Sequence, residues 1–172
     1  MIFVTVGTHS QAFDRLVKAM DDLASTIEET VVIQRGSTDY RPLYAENFTW
    51  TTGQHMEQLT RDARVVVTHA AAGAIILCLR YNKPIIAVPR RQCHDEHFDD
   101  HQLQIATALS ATGRVVVVSE PSVATLQAAL DQAAKDQAAY TSSSALKVAL
   151  RQQLVEWHPK TGSRFRKWFQ FR

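Results

Sequence analysis

The chain has 172 residues, 45% of them hydrophobic and 21% charged, with a formal net charge of +2. That length suits one domain with one core, and the near-neutral balance gives no reason to expect a nucleic-acid partner. No apolar run approaches the roughly 20 residues of a membrane-spanning helix, so a soluble or peripherally attached protein is expected.

The opening MIFVTVGTH lacks a basic segment and a long apolar stretch, so no signal peptide is expected. Residues 2–6 (IFVTV) form the first predicted strand, and residues 10–28 the first helix, with Phe13, Leu16, Val17, Met20 and Leu23 on one stripe. Strands are predicted at 30–34 and 48–51, a short helix at 54–62, a strand at 64–68, a helix at 73–82 ending before Pro84, and a strand at 85–88. A helix over 98–112 carries Leu103, Ile105, Ala106 and Leu109 and stops at Gly113. A strand at 114–118 leads to a helix over 122–138, capped by Ser122, with Leu126, Ala129, Leu130 and Ala133 facing inward; a last helix is predicted at 143–156. Four strands (IFVTV, VVIQ, RVVVT, IIAV) are almost continuously apolar or β-branched, as suits strands covered on both faces. The alternation predicts an α/β fold, a Rossmann-like doubly wound parallel sheet. It occupies residues 1–156, followed by a basic, aromatic tail at 157–172.

That tail, WHPKTGSRFRKWFQFR, mixes five basic residues with Trp157, Phe165, Trp168, Phe169 and Phe171. Such a mixture suits an anionic membrane surface or a partner's groove, or equally a segment docked on its own core. Of the two cysteines, Cys78 lies in an apolar run and reads as a core residue, so no disulfide framework and a reducing, cytosolic compartment are expected.

In an open α/β sheet, ligands bind beyond the carboxyl ends of the strands. Three segments should meet there. Gly7 and Thr8 follow the first strand, at a turn whose backbone amides suit a phosphate or simply close a tight turn. His69 ends a buried strand and is followed by the small residues Ala70, Ala71, Ala72 and Gly73, which open the approach to a helix start favourable to anions. The third segment, PRRQCHDEHFDDHQLQIA (89–106), holds three of the seven histidines. His94, His97 and His101 would share a face only if the whole stretch were helical, and Arg90 and Arg91 raise the cost of a dication nearby, so a metal site is not expected. General acid/base work requires a substrate geometry that spacing does not supply. The remaining reading is a sugar-binding loop, with carboxylates and amides for hydroxyls and arginine for phosphate or carboxylate.

The ordered motifs FVTVGTH, VVVTHAAAGAI…KPIIAVPR and EHFDDHQLQIA carry a resemblance over residues 1–130. The chain resembles the carboxyl-terminal, donor-binding half of the GT-B glycosyltransferases related to MurG. It is most similar to the stand-alone subunits of bipartite enzymes, and PRR…EH.DDHQ looks like the bacterial exopolysaccharide and capsule branch. The resemblance implies an inverting transferase subunit that binds a UDP-sugar and needs neither metal nor cofactor. A membrane-anchored partner would supply the acceptor-binding half, the general base and the site for a lipid-linked saccharide acceptor. The chain would then work at the inner face of the plasma membrane, held by the partner, with its tail as a candidate second contact. By position, Gly7 and Thr8 match the phosphate-side loop, and His69 and Gly73 match the family's His-Ala-Gly-x-Gly segment. His101 and Gln102 match its sugar-contacting pair. Glu96, His97, Asp99 and Asp100 match the bacterial extension, with Arg90 and Arg91 alongside as candidates for the phosphates or a uronic-acid carboxylate. His69 would position the donor rather than act as the base. Two departures stand out: Ala71 replaces a glycine, and Leu77 replaces a ribose-binding glutamate seven residues before Pro84. They favour the alternative of a non-catalytic helper that stabilises or recruits the partner.

Overall fold

The computed structural model describes residues 1–110, 113 and 115–136. The predicted helix at 143–156 and the tail at 157–172 lie outside them. Six parallel strands form one sheet in the order β3-β2-β1-β4-β5-β6. They are β1 (Ile2–Thr5), β2 (Val31–Gln34), β3 (Glu46–Phe48), β4 (Val65–Thr68), β5 (Ile85–Ala87) and β6 (Val115–Val117). The helices are α1 (Asp14–Ala24), α2 (Gly53–Asp62), α3 (Ala72–Arg80), α4 (His101–Ser110) and α5 (Val123–Asp136).

Alternation along the strands divides the core into two layers. Ile2, Val4, Val65, Val67 and Ile86 pack with Leu16, Val17 and Met20 of α1 and Leu126 and Leu130 of α5. Phe3, Val66, Ile85 and Ala87 point the other way, to Ile75 and Cys78 of α3 and Ala106 and Leu109 of α4. The sheet is therefore covered on both faces, and β1, β2 and β4 are buried at every position. Burial pushes the Cys78 thiol up to about 12, as expected of an inert core residue.

Three element starts differ by more than one residue from those the sequence predicts, two for a tertiary reason and one for a local cap. β3 begins at Glu46 rather than 48, because the amides of Leu43, Tyr44 and Ala45 all donate to the Asp21 carboxylate and deliver the chain to the β2 edge at that point. Residues 49–52 then leave the sheet, and Thr52 Oγ1 caps α2 by accepting from the His55 amide. α1 starts at Asp14 rather than 10, because the carbonyls of Gln11 and Ala12 are bound by Arg90 and the Phe13 amide by Thr38 Oγ1. α4 starts at His101, whose amide donates to Asp99 Oδ1, leaving Phe98 outside the helix. The expected cap of α5 is present, Ser122 Oγ accepting from the Thr125 amide at 3.2 Å. Gly113 sits at φ +69°, as a left-handed stop after α4 requires.

Candidate functional site

The strand order reverses between β1 and β4, so the crevice of a doubly wound sheet opens beyond Thr5 and Thr68, which are paired neighbours. Past β1 the chain turns at Gly7, φ +77°. Past β4 comes His69, whose imidazole fills the space a side chain at position 7 would take: a Cβ there would lie 2.4 Å from both Cε1 and Nε2 of the ring. Gln34, at the end of β2, holds the turn. Its Oε1 accepts from Thr5 Oγ1 (2.7 Å) and the Gly7 amide (3.1 Å), and its Nε2 donates to the carbonyls of Gly7 and Thr49 (3.0 Å each). The expectation that the Gly7 amide is free for a phosphate is thereby corrected: that N–H faces inward, and Thr8 is the member of the pair exposed at the rim.

His69 is buried, and burial together with the nearby Arg90 charge lowers its pKa to about 4. Its Nδ1 lies 3.4 Å from the Thr5 carbonyl. A carbonyl only accepts, which assigns the ring proton to Nδ1 and leaves Nε2 as an acceptor beside Gly7. A neutral ring in this tautomer fixes the turn and presents no acidic proton on Nε2.

α3 starts immediately beyond. Its cap, Ala71, has φ −85° and ψ 136° and offers no side-chain bond. The negative φ removes any need for glycine there, so the first departure from the family pattern is sterically harmless. Ala70 is buried in the core, Ala72 is half-buried, and nothing lies within 4 Å of the Cβ position at Gly73. The first turn of α3, whose N–H groups lack intrahelical partners, thus begins beside open space at the switch point. Leu77 is half-buried one turn further on.

The segment after β5 forms a short 3₁₀ turn, Gln92–His94, and a left-handed residue, Asp95 (φ 56°). Several of its polar side chains point inward. Arg90 is 1% exposed. Its Nη1 donates to the carbonyls of Gln11, Ala12 and Glu96 and its Nη2 to that of Val6, at 2.9–3.0 Å. The expectation that Arg90 meets the donor is corrected: its guanidinium is spent on main-chain carbonyls. Glu96 is also buried, its carboxylate gripped by Nε and Nη2 of Arg15 (3.0 and 2.8 Å) and by the Arg91 amide (3.0 Å). Gln102 is buried too, with Oε1 accepting from the Arg90 amide (3.1 Å). Glu96 and Gln102, both expected to meet the donor, are thus committed to partners within the protein.

The rim side chains are different. Arg91 is half-buried, 3.7 Å from Asp100 and 3.8 Å from Glu120. Asp100 Oδ1 accepts from the Gln92 amide. His101 is exposed, with Nε2 3.5 Å from Asp99 and Nδ1 3.2 Å from Gln104 Oε1. His97 sits 3.0 Å from Asp99 Oδ1, and its ring centroid is 5.1 Å from that of His9, which in turn meets Phe98 edge-on at 5.5 Å. Among the described residues no group of three or more His, Cys, Asp or Glu side chains is arranged to hold a metal ion.

Sequence reasoning did not single out Gln34, Arg15 or His9. Gln34 carried a signal, as the one polar residue ending an apolar strand, VVIQ. Arg15 carried none, since an arginine in the first turn of α1 has the pattern of any solvated helix residue.

Comparison with known proteins agrees with this architecture. The family described as glycosyltransferase family 28 C-terminal domain matches residues 1–156. The human UDP-N-acetylglucosamine transferase subunit ALG13 is 30% identical over 159 residues, covering 83% of this chain and 14% of the human protein. The mouse protein of that name is 31% identical over 66% of this chain and 10% of its own length. The chain thus spans about one-seventh or less of these relatives. The crystal structure of the kitacinnamycin glycotransferase superposes with a TM-score of 0.67 at 20% identity, covering 88% of this chain and 39% of that one. For the calicheamicin glycosyltransferase CalG4 the values are 0.57, 16%, 97% and 41%. These structural likenesses establish the GT-B glycosyltransferase fold.

Proposed function

The chain belongs to the glycosyltransferase family 28 C-terminal domain family, and from that premise we propose that it is the UDP-sugar-binding part of a two-component inverting glycosyltransferase. The observation that carries this reading is the switch point itself. There the uncapped start of α3, open at Gly73, follows the Gly7–His69 turn, and the segment bearing His101 leaves the neighbouring parallel strand β5 at the same end of the sheet. A helix N-terminus at a crevice suits a diphosphate, and the exposed imidazole of His101 with the flanking carboxylates suits sugar hydroxyls. A relative is named as a transferase subunit, which supports a separate acceptor-binding partner.

The finer reading is a membrane-anchored partner that supplies the general base and holds a lipid-linked saccharide, placing the pair at the inner face of the plasma membrane in exopolysaccharide synthesis. In this reading the UDP-sugar is a substrate and the chemistry calls for no cofactor. Of the two arginines, Arg91 rather than Arg90 is the one placed to meet a uronic-acid carboxylate, since every Arg90 Nη already serves the main chain.

The expected result is UDP binding by calorimetry with the partner present, and transfer only by the pair. His101→Ala is expected to lower transfer by about 10–100-fold, the loss of one or two polar sugar contacts. Undetectable UDP binding with the partner present rejects the donor site. Leu77 favours the second reading, a non-catalytic helper, because an aliphatic side chain accepts no ribose hydrogen bond; under that reading His101→Ala leaves the pair's activity intact.

A further inference from the structure

We propose that Arg90 is the positioning residue of this site: one buried guanidinium fastens the loop after β1, the approach to α1 and the 89–102 segment together, so that the Gly7–His69 turn and the His101 rim move as one body. The positioning claim concerns the chain itself, and only its consequence for ligand affinity rests on the reading above.

Arg90 reaches three segments at once; Gln11 Nε2 on the Asp95 carbonyl, the His9–His97 and His9–Phe98 ring contacts and the Arg15–Glu96 pair each join only two of them. Val6 O belongs to the exit of β1, Gln11 O and Ala12 O to the stretch before α1, and Glu96 O to the loop after β5. Three of these carbonyls converge on Nη1, which has two hydrogens, so one is shared. Nε has no hydrogen-bond partner, and the guanidinium carbon stands 4.7 Å from the centroid of the Phe13 ring, giving the cation a π face on the same side as α1. The arginine's own amide holds Gln102, the residue after His101, so the rim histidine is tied to the same anchor through the main chain.

The acid in this neighbourhood, Glu96, is already taken by the forked pair with Arg15. The hydrogen bonds of the Arg90 charge accordingly go to main-chain carbonyls, with the Glu96 carboxylate acting on it only through space. Burying a cation on main-chain oxygens is costly, which argues for a geometric need rather than a simple ion pair. Only a planar fork with donors on two nitrogens spans these carbonyls; a lysine ammonium keeps the charge but gathers its three donors at one point.

The test is hydrogen exchange and UDP calorimetry on the full chain with its partner, comparing wild type, Arg90→Lys, Arg90→Met and Arg15→Lys. Arg90→Lys is expected to fold. Amides at 7–13 and at 92–103 should exchange about 10-fold faster together, while those of β2 and α5 keep their wild-type rates, and UDP affinity should fall about 10-fold. Arg15→Lys should loosen 90–97 without 7–12, because the Arg15 side chain hydrogen-bonds Glu96 and the carbonyls of Pro89 and Ser119, and on the α1 side it meets the Phe13 ring at 5.6 Å. Arg90→Met should match or exceed the Arg90→Lys effect, and if it fails to fold, the lysine variant still decides. Unchanged exchange in Arg90→Lys, or acceleration in only one of the two segments, overturns the proposal. If wild type binds no UDP, the donor reading falls while the exchange data still settle the coupling.

Discussion

Gly7→Ala is expected to destabilise the fold by about 3 kcal/mol or more and to abolish donor binding. Two independent costs add. At φ +77° a Cβ meets its own backbone, at roughly 1–2 kcal/mol. It would also sit 2.4 Å from two atoms of the His69 ring. That ring has no easy retreat: it is buried, and moving it breaks the contact between Nδ1 and the Thr5 carbonyl. Thermal or urea unfolding of the single and double variants separates the terms. His69→Ala in the Gly7→Ala background should recover part of the loss, because the clash disappears while the backbone strain stays, giving a coupling of about 1–2 kcal/mol. Strict additivity of the two substitutions would contradict the packing described here. The pH dependence adds a second check. The folded-state pKa of His69, about 4, lies below the ordinary value near 6.5, so the unfolded chain binds the extra proton between them. Stability should rise with pH across that window, and the rise should be weaker in His69→Ala.

The layered sheet was legible because its signal is local. Ile2–Thr5, Val31–Gln34, Val65–Thr68 and Ile85–Ala87 are buried on both faces, and so continuous an apolar run suits a parallel strand covered on both sides. Two of the element starts that moved are set from far away in sequence, while that of α4 is set by its neighbour Asp99. The start of α1 depends on Arg90, 78 or more residues later. The start of β3 depends on Asp21, more than 20 residues earlier.

The site shows the same division. Its expected position followed from the alternation of strands and helices, while His101 was singled out by the family resemblance and not by its spacing. Which polar side chains turn inward was not. His101 and Gln102 are adjacent, yet successive helical residues point about 100° apart, and one faces the rim while the other grips the Arg90 amide. Arg90 and Arg91 differ in the same way: the first is swallowed by carbonyls and the second stays at the edge. Composition identifies a polar loop but carries no information on the partner of each side chain, and here Arg15 reaches Ser119 across 104 residues of sequence.

At Asp21 the expectation is a loss of about 3 kcal/mol on substitution to Asn. The carboxylate is buried and accepts four bonds: Oδ2 from the Tyr40 hydroxyl (2.8 Å) and the Leu43 amide (2.9 Å), Oδ1 from the amides of Tyr44 (2.8 Å) and Ala45 (2.9 Å). An asparagine offers one acceptor oxygen and would turn an NH₂ toward two of these donors. Burial by itself pushes the carboxyl pKa up, but the bonds from Leu43, Ala45, Tyr44 and Tyr40 outweigh it, so the net shift is downward. A depressed pKa means this stabilisation is complete above the ordinary carboxylate value and is lost as pH falls below about 4. Urea unfolding of wild type and Asp21→Asn at pH 7, 5 and 3 should therefore show a wide gap at the first two values and a narrower one at the last. A gap that stays constant to pH 3 would remove the charge from the explanation. Tyr40→Phe, which deletes one of the four donors, should cost only about 1 kcal/mol. The damage should also reach the site. The loop that Asp21 anchors feeds β3, the residue after β3 is Thr49, and the Thr49 carbonyl helps to hold Gln34, whose amide fixes Gly7. Asp21→Asn should thus weaken donor binding from the far end of α1, well below its melting temperature, with no residue of the rim altered.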